Sequence, residues 1–181
     1  MTDELTDFLL RNHACSEGLS RLAATGAATP EEAFERADDR DLVWAVTRPG
    51  VMSDDQRRRF LSEAVLAPIE HLLTDERSKN ILQKLRTNEP ITQEDKAASL
   101  AATYAARSAS WWAADSQAAA ADAALWASYA AAEERAAAYR AVDAAQAAAA
   151  AAAAQADAAA SREAQARWIR DNFSLTDLNI N

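Results

Sequence analysis

The chain has 181 residues, a formal net charge of -9 and a sequence pI of about 4.7. That length holds one domain, or a compact domain with a helical appendage, and so acidic a balance argues against nucleic acid, whose binders need a basic footprint. Cys15 is the sole cysteine, so no intrachain disulfide can form and a reducing compartment is expected.

In chain order, helix-start signals recur. The first apolar stripe, Leu5, Phe8 and Leu9, predicts a helix over 3–14. Thr29-Pro30-Glu31-Glu32 sets a capping threonine, a proline at the first helical position and an acid at the capping-box position, which starts a helix over 30–37. A helix over 40–47 carries Leu42, Val43 and Val46 on one side. Ser53-Asp54-Asp55-Gln56 repeats the box and opens a helix over 54–73, which Pro68 should kink or split. A weaker start at Thr74-Asp75-Glu76 gives a helix over 75–87. Gly18, Gly26 and Pro49-Gly50 read as breaks. No stretch alternates with period two, so the fold class is all-α, with Trp44 and Cys15 expected in the core of a small N-terminal bundle spanning 1–90.

The second half, 91–173, is one continuous problem. From Ala97 to Arg167 there is no Gly or Pro, and 39 of the 71 residues are alanine. Alanine heads the helix scale, so a helix opened by Thr92-Gln93-Glu94-Asp95 should run from 93 to about 171. As a single rod it would reach about 120 Å. The expectation is therefore either a very long alanine-rich helix or a helical hairpin folded back on the N-terminal bundle. Trp111, Leu125 and Tyr139 are two heptads apart, as are Trp112, Trp126 and Arg140; Leu100 and Tyr104 extend the first series. Continuing that seam puts Ala149 and Ala156 on the packed side and Ala151 and Ala158 towards solvent. Residues 174–181 show no helix logic and are expected as a loose tail.

A catalytic constellation is not legible. His13 and Cys15, two residues apart, point to different helix faces, so no metal site and no nucleophilic pair is expected there. With three glycines, a phosphate-binding loop can hardly be built. Arg57-Arg58-Arg59 reads as an exposed helix turn. No catalytic residue, metal or cofactor is expected, and the chain is read as a non-enzyme. The acidic residues Asp38, Asp39 and Asp41, with Asp54 and Asp55, are the candidate partner-binding positions. The acidic opening Met1-Thr2-Asp3-Glu4 lacks the pattern of a secretory signal. Asp143 and Asp157 bracket an alanine window shorter than the roughly 20 apolar residues a bilayer needs. A cytoplasmic protein without membrane contact is expected.

Three segments together resemble a known family. Asn12-His13-Ala14-Cys15 with Glu17, Thr29-Pro30-Glu31-Glu32-Ala33-Phe34, and Asp41-Leu42-Val43-Trp44 are similar to the opening of the Imm5-like immunity proteins. Arg86 to Glu94, leading into an alanine- and tryptophan-rich region, and the closing Trp168-Ile169-Arg170 continue the similarity. The chain departs from the pattern at Leu19-Ser20, where a tryptophan often follows the first glycine, and in having more alanine and less tryptophan. The resemblance implies a small helical bacterial or phage protein that binds and neutralises a toxin, without naming one. An acidic face would suit a basic toxin or effector through electrostatic steering. The alternative is a scaffold protein that forms a homo-oligomer through its alanine-rich helix.

Overall fold

A computed structural model describes residues 2–109, 115–131, 137–153 and 158–178. They form helices α1 (Asp3–Arg11), α2 (Ser16–Ala24), α3 (Pro30–Arg36), α4 (Asp39–Val46), α5 (Asp54–Arg59), α6 (Glu76–Arg86), α7 (Gln93–Ala109), α8 (Asp115–Ala130), α9 (Ala137–Ala153) and α10 (Ala158–Asn172). No strand occurs among the described residues, and none of their helices is long and apolar enough to cross a membrane.

Most starts follow the local chemistry. Thr29 Oγ1 accepts the Glu32 N–H, and Ser53 and Gln56 complete a reciprocal capping box. α5 does not continue as one α-helix. Phe60–Leu66 widen into a π-helical stretch, in which the Ala67 N–H reaches the Ser62 carbonyl, and Ala67–Leu72 tighten into a 3-10 segment. Pro68 has no N–H and its ring would collide with the carbonyl four residues back, so the helix changes type around it.

Four expectations for the first half are corrected. α1 ends at Arg11 rather than near 14, because His13 takes a left-handed conformation with φ 55°. A further helix, α2, then occupies 16–24, and Gly18 lies in its first turn instead of marking a break. Its cap is Cys15, whose Sγ accepts the Gly18 N–H at 3.4 Å. Cys15 is consequently exposed, not buried. Trp44 is only half-buried, with the Arg48 guanidinium 4.9 Å from its ring and a cavity along one side.

The very long helix does not form. The described parts of the alanine-rich half are four short helices that fold back in turn. Contacts between successive helices show the antiparallel arrangement: Lys96 Nζ lies 5.2 Å from the Tyr129 ring across α7 and α8, Arg140 stacks 4.7 Å from Trp126 across α8 and α9, and Gln165 Nε2 donates to the Ala145 carbonyl at 3.3 Å across α9 and α10. Trp126 and Arg140, expected on one face of one helix, therefore face each other across two. Methyl side chains let these helices approach closely. Ala120, Ala123, Ala124, Ala127, Ala141, Ala144, Ala148 and Ala166 are completely buried.

The seam holds in part. Leu125 and Ala149 are buried, but Tyr104 is 63% exposed because register does not carry from α7 into a separate α8. Ala151, expected on the solvent side, is fully buried. α9 packs on α8, α10, α4 and the π and 3-10 segments, and its exposed positions among the described residues are Gln146 and Ala150 rather than Ala151. Trp111, Trp112 and Ala156 lie outside the described residues, as do the side chains of Tyr139 and Ala158.

One core joins the two halves. Phe60, Leu61, Leu66, Ile81, Leu82 and Leu42 from the first half meet Ile169 and the buried alanines from the second. Trp168 closes the seam, 5.9 Å from Phe60 and 5.4 Å from Phe173, its Nε1 donating to Glu63. Residues 174–178, expected as a loose tail, instead make a capped 3-10 turn at Leu175–Asp177 and bury Leu178. Asp177 gives its carbonyl to Gln56 Nε2 at 2.9 Å.

Candidate functional site

The aspartates singled out in the sequence are placed in three different settings. Asp41 and Asp38 share Arg21. Arg21 Nε and Nη2 contact the Asp41 carboxylate at 2.9 and 2.6 Å, Asp38 lies 3.1 Å from Nε, and Glu17 lies 2.6 Å from Nη1. Hydrogen bonding to Asp41 holds the Arg21 guanidinium above its ordinary pKa, against a smaller opposing effect of burial. This cluster ties α2 to α4, and Asp38 also caps α4 through the Asp41 N–H. Asp39 pairs with Arg170 at 3.2 Å, joining α4 to α10. Asp54 pairs with Arg57 at the other end of the first half. Among the described residues, Asp55 is the one of the five without an ion pair. The acidic residues at 38–41 thus join α2, α4 and α10 through charge-assisted bonds.

Unpaired acids lie elsewhere. Asp3, Glu4 and Asp7 on α1 and Glu31 and Glu35 on α3 are exposed and have no ion pair among the described residues. The two helix starts are joined by the Thr2 N–H, which donates to the Ala28 carbonyl at 2.6 Å. Asp3, Asp7 and Leu10 follow one another at helical spacing along a single stripe, and Leu10 is 64% exposed.

Beside this face, α1 to α4 close against α9 and α10 around a partly open cavity of about 660 Å³. Its floor is apolar, built from Phe8, Leu9, Leu22, Leu42 and Val43, with Ala145 and Ala149 from α9 opposite. The exposed lining residues are His13, Cys15, Arg40, Gln146, Ala150 and Arg162. A volume of this order is that of a small-molecule site, for which about 300–1,000 Å³ is usual. Of the five candidate aspartates only Asp41 reaches it. Sequence reasoning missed the cavity because its walls come from helices separated by most of the chain. The one local signal, His13-Ala14-Cys15 beside an unforeseen turn, gives no hint of a hollow. Among the described residues, no three histidine, cysteine or carboxylate side chains gather as metal ligands would.

No known protein family, curated protein or solved structure matches the chain.

Proposed function

We propose that the chain is a non-enzymatic protein-binding module that neutralises or inhibits a basic partner, the role implied by its resemblance to immunity proteins. The observation that carries the reading is the exposed acidic face of α1 and α3. Asp3, Glu4, Asp7, Glu31 and Glu35 are exposed without an ion pair among the described residues, and Leu10 continues the Asp3–Asp7 stripe of α1 as an exposed apolar side chain. Unpaired like charges on one face attract a basic partner and speed its encounter. An exposed leucine inside a charged surround resembles the core-and-rim pattern of interfaces.

The alternative, a scaffold that self-associates through alanine-rich helices, has less surface to draw on. The alanines that would form such an interface are largely buried between α8, α9 and α10 of one chain.

Affinity capture from the source cells tests this reading, with the wild-type chain and the Asp3→Lys, Asp7→Lys double variant as baits. The expected result is a basic protein that binds wild type directly, is released as salt shortens the Debye length to about 3 Å near 1 M, and is lost from the variant. Equal capture by both baits, or a partner indifferent to salt, contradicts it.

A further inference from the structure

The charges around the cavity differ from those in the rest of the molecule. Among the described residues most arginines elsewhere have a side-chain partner: Arg36 with Glu32, Arg57 with Asp54, Arg59 with Asn172, Arg77 with Asp75, Arg86 with Glu70, Arg167 with Glu163, Arg170 with Asp39; Arg11 and Arg58 donate to backbone carbonyls. Arg40 and Arg162 make no hydrogen bond or ion pair with any described residue, and both line the cavity. In a chain with 28 acidic and 19 basic side chains, two guanidiniums without an ion pair lining one cavity are unexpected. The third arginine on the wall, Arg21, is already committed to Asp41, Asp38 and Glu17.

We propose that this cavity binds an anionic amphiphile, a long-chain carboxylate, whose chain lies on the apolar floor and whose head is held by Arg40 and Arg162. Phe8, Leu9, Leu22, Leu42 and Val43 offer a surface that an alkyl chain can cover, excluding water without leaving any polar group of its own unpaired. Guanidinium presents a planar fork of donors that matches a carboxylate in two-point contact, which an ammonium cannot do. Asp41, with its negative charge on the same wall, favours a singly charged head over a doubly charged phosphate. Arg40 extends from the first turn of α4 and Arg162 from the first turns of α10, so the head would bridge the N-terminal bundle and the alanine-rich half. This inference is independent of the acidic face and of any protein partner.

Calorimetric titration of the full chain with sodium dodecanoate, kept below its micelle concentration, tests it. The expected result is one molecule bound per chain, with no binding of acetate, which lacks the tail, or of dodecyltrimethylammonium, which reverses the head. The Arg40→Gln, Arg162→Gln double variant should bind dodecanoate about tenfold more weakly or worse, the scale of a lost charge-assisted contact. Both side chains are exposed, so folding, followed by far-UV circular dichroism, should not change. Ala149→Trp places an indole in the cavity and should abolish binding; if that variant does not fold, the arginine variant carries the test alone. The proposal is overturned by absent dodecanoate binding, by several molecules bound per chain, by equal binding of the cationic analogue, or by unchanged affinity in the folded arginine variant.

Discussion

Arg57 Nε donates a 3.0 Å hydrogen bond to the carbonyl of Ala130, joining the first half of the chain to the end of α8. Ala130 is the last residue of α8, whose final carbonyls lack intrahelical partners and carry the negative end of the helix dipole. Arg57, only 8% exposed, brings a cation from α5 to that end. Arg57 thereby ties the end of α8 to the first half of the chain.

Removing that cation should be costly. Arg57→Leu is expected to lower stability by about 1.5–3 kcal/mol, since it leaves a buried carbonyl without its charged donor. Arg57→Lys should recover part of the loss at most, because one ammonium cannot serve both Ala130 and Asp54 with the same geometry. Urea denaturation of the three proteins measures the differences.

A second prediction follows from the methyl contacts. Ala148 on α9 and Ala166 on α10 are completely buried, whereas Ala164, two residues from the latter, is exposed. Ala148→Leu and Ala166→Leu should each destabilise by about 1–3 kcal/mol through overpacking. Ala164→Leu should change stability by less than about 0.5 kcal/mol, as substitutions on open surface do. Thermal melts of the three variants beside wild type separate these outcomes; a common melting temperature would mean that the alanines have no close neighbours.

Asp95 fixes the direction in which α7 leaves α6. Its carboxylate accepts from Lys84 Nζ at 2.8 and 2.7 Å, from Asn80 Nδ2 at 3.2 Å and from both the N–H and the hydroxyl of Thr92 at 2.8 Å. Burial pushes the carboxyl up, but the bonds from Lys84 and Thr92 together outweigh it and hold the group below the usual carboxylate range. A depressed folded pKa gives stability that is complete above the unfolded value of 3.8 and lost as the pH falls through the folded value. Asp95→Asn should therefore cost about 1–3 kcal/mol at neutral pH, with the gap to wild type closing as pH falls below about 4. Denaturation midpoints across that range read it directly.

Cys15 caps α2 with a sulfur, a weak acceptor in a position that normally takes Ser, Thr, Asp or Asn. Cys15→Ser is expected to leave stability unchanged or to raise it by about 0.5–1 kcal/mol. The exposed thiol of wild type should react with a bulky disulfide reagent in the native protein without prior unfolding. Slow reaction that tracks unfolding would place the thiol inside.

What could be read from the sequence was local. Thr29, Ser53 and Thr92 announce their helices because a capping hydroxyl and an acid or amide three residues on interact within one turn. Pro68 announces its own disruption for the same reason. α2 was hidden because its cap is a cysteine and its first turn holds Gly18, both of which argue against a helix start. How the alanine helices pack was hidden because contacts such as Arg57 with Ala130 and Gln165 with Ala145 join residues far apart in the chain. The acidic run at 38–41 was visible, but its pairing with Arg21 and Arg170 was not, since no local spacing links those residues. Arg40 and Arg162 meet at the cavity only after both halves have folded.

The claim on which the rest depends is that the alanine-rich half folds back on the first half within a single chain. Small-angle X-ray scattering on the full chain measures this most directly. A compact monomer of this length should give a radius of gyration of about 16 Å. A particle with a longest dimension approaching about 120 Å, the length of an unbroken helix over 93–171, would contradict the fold, the buried alanine contacts and the cavity together.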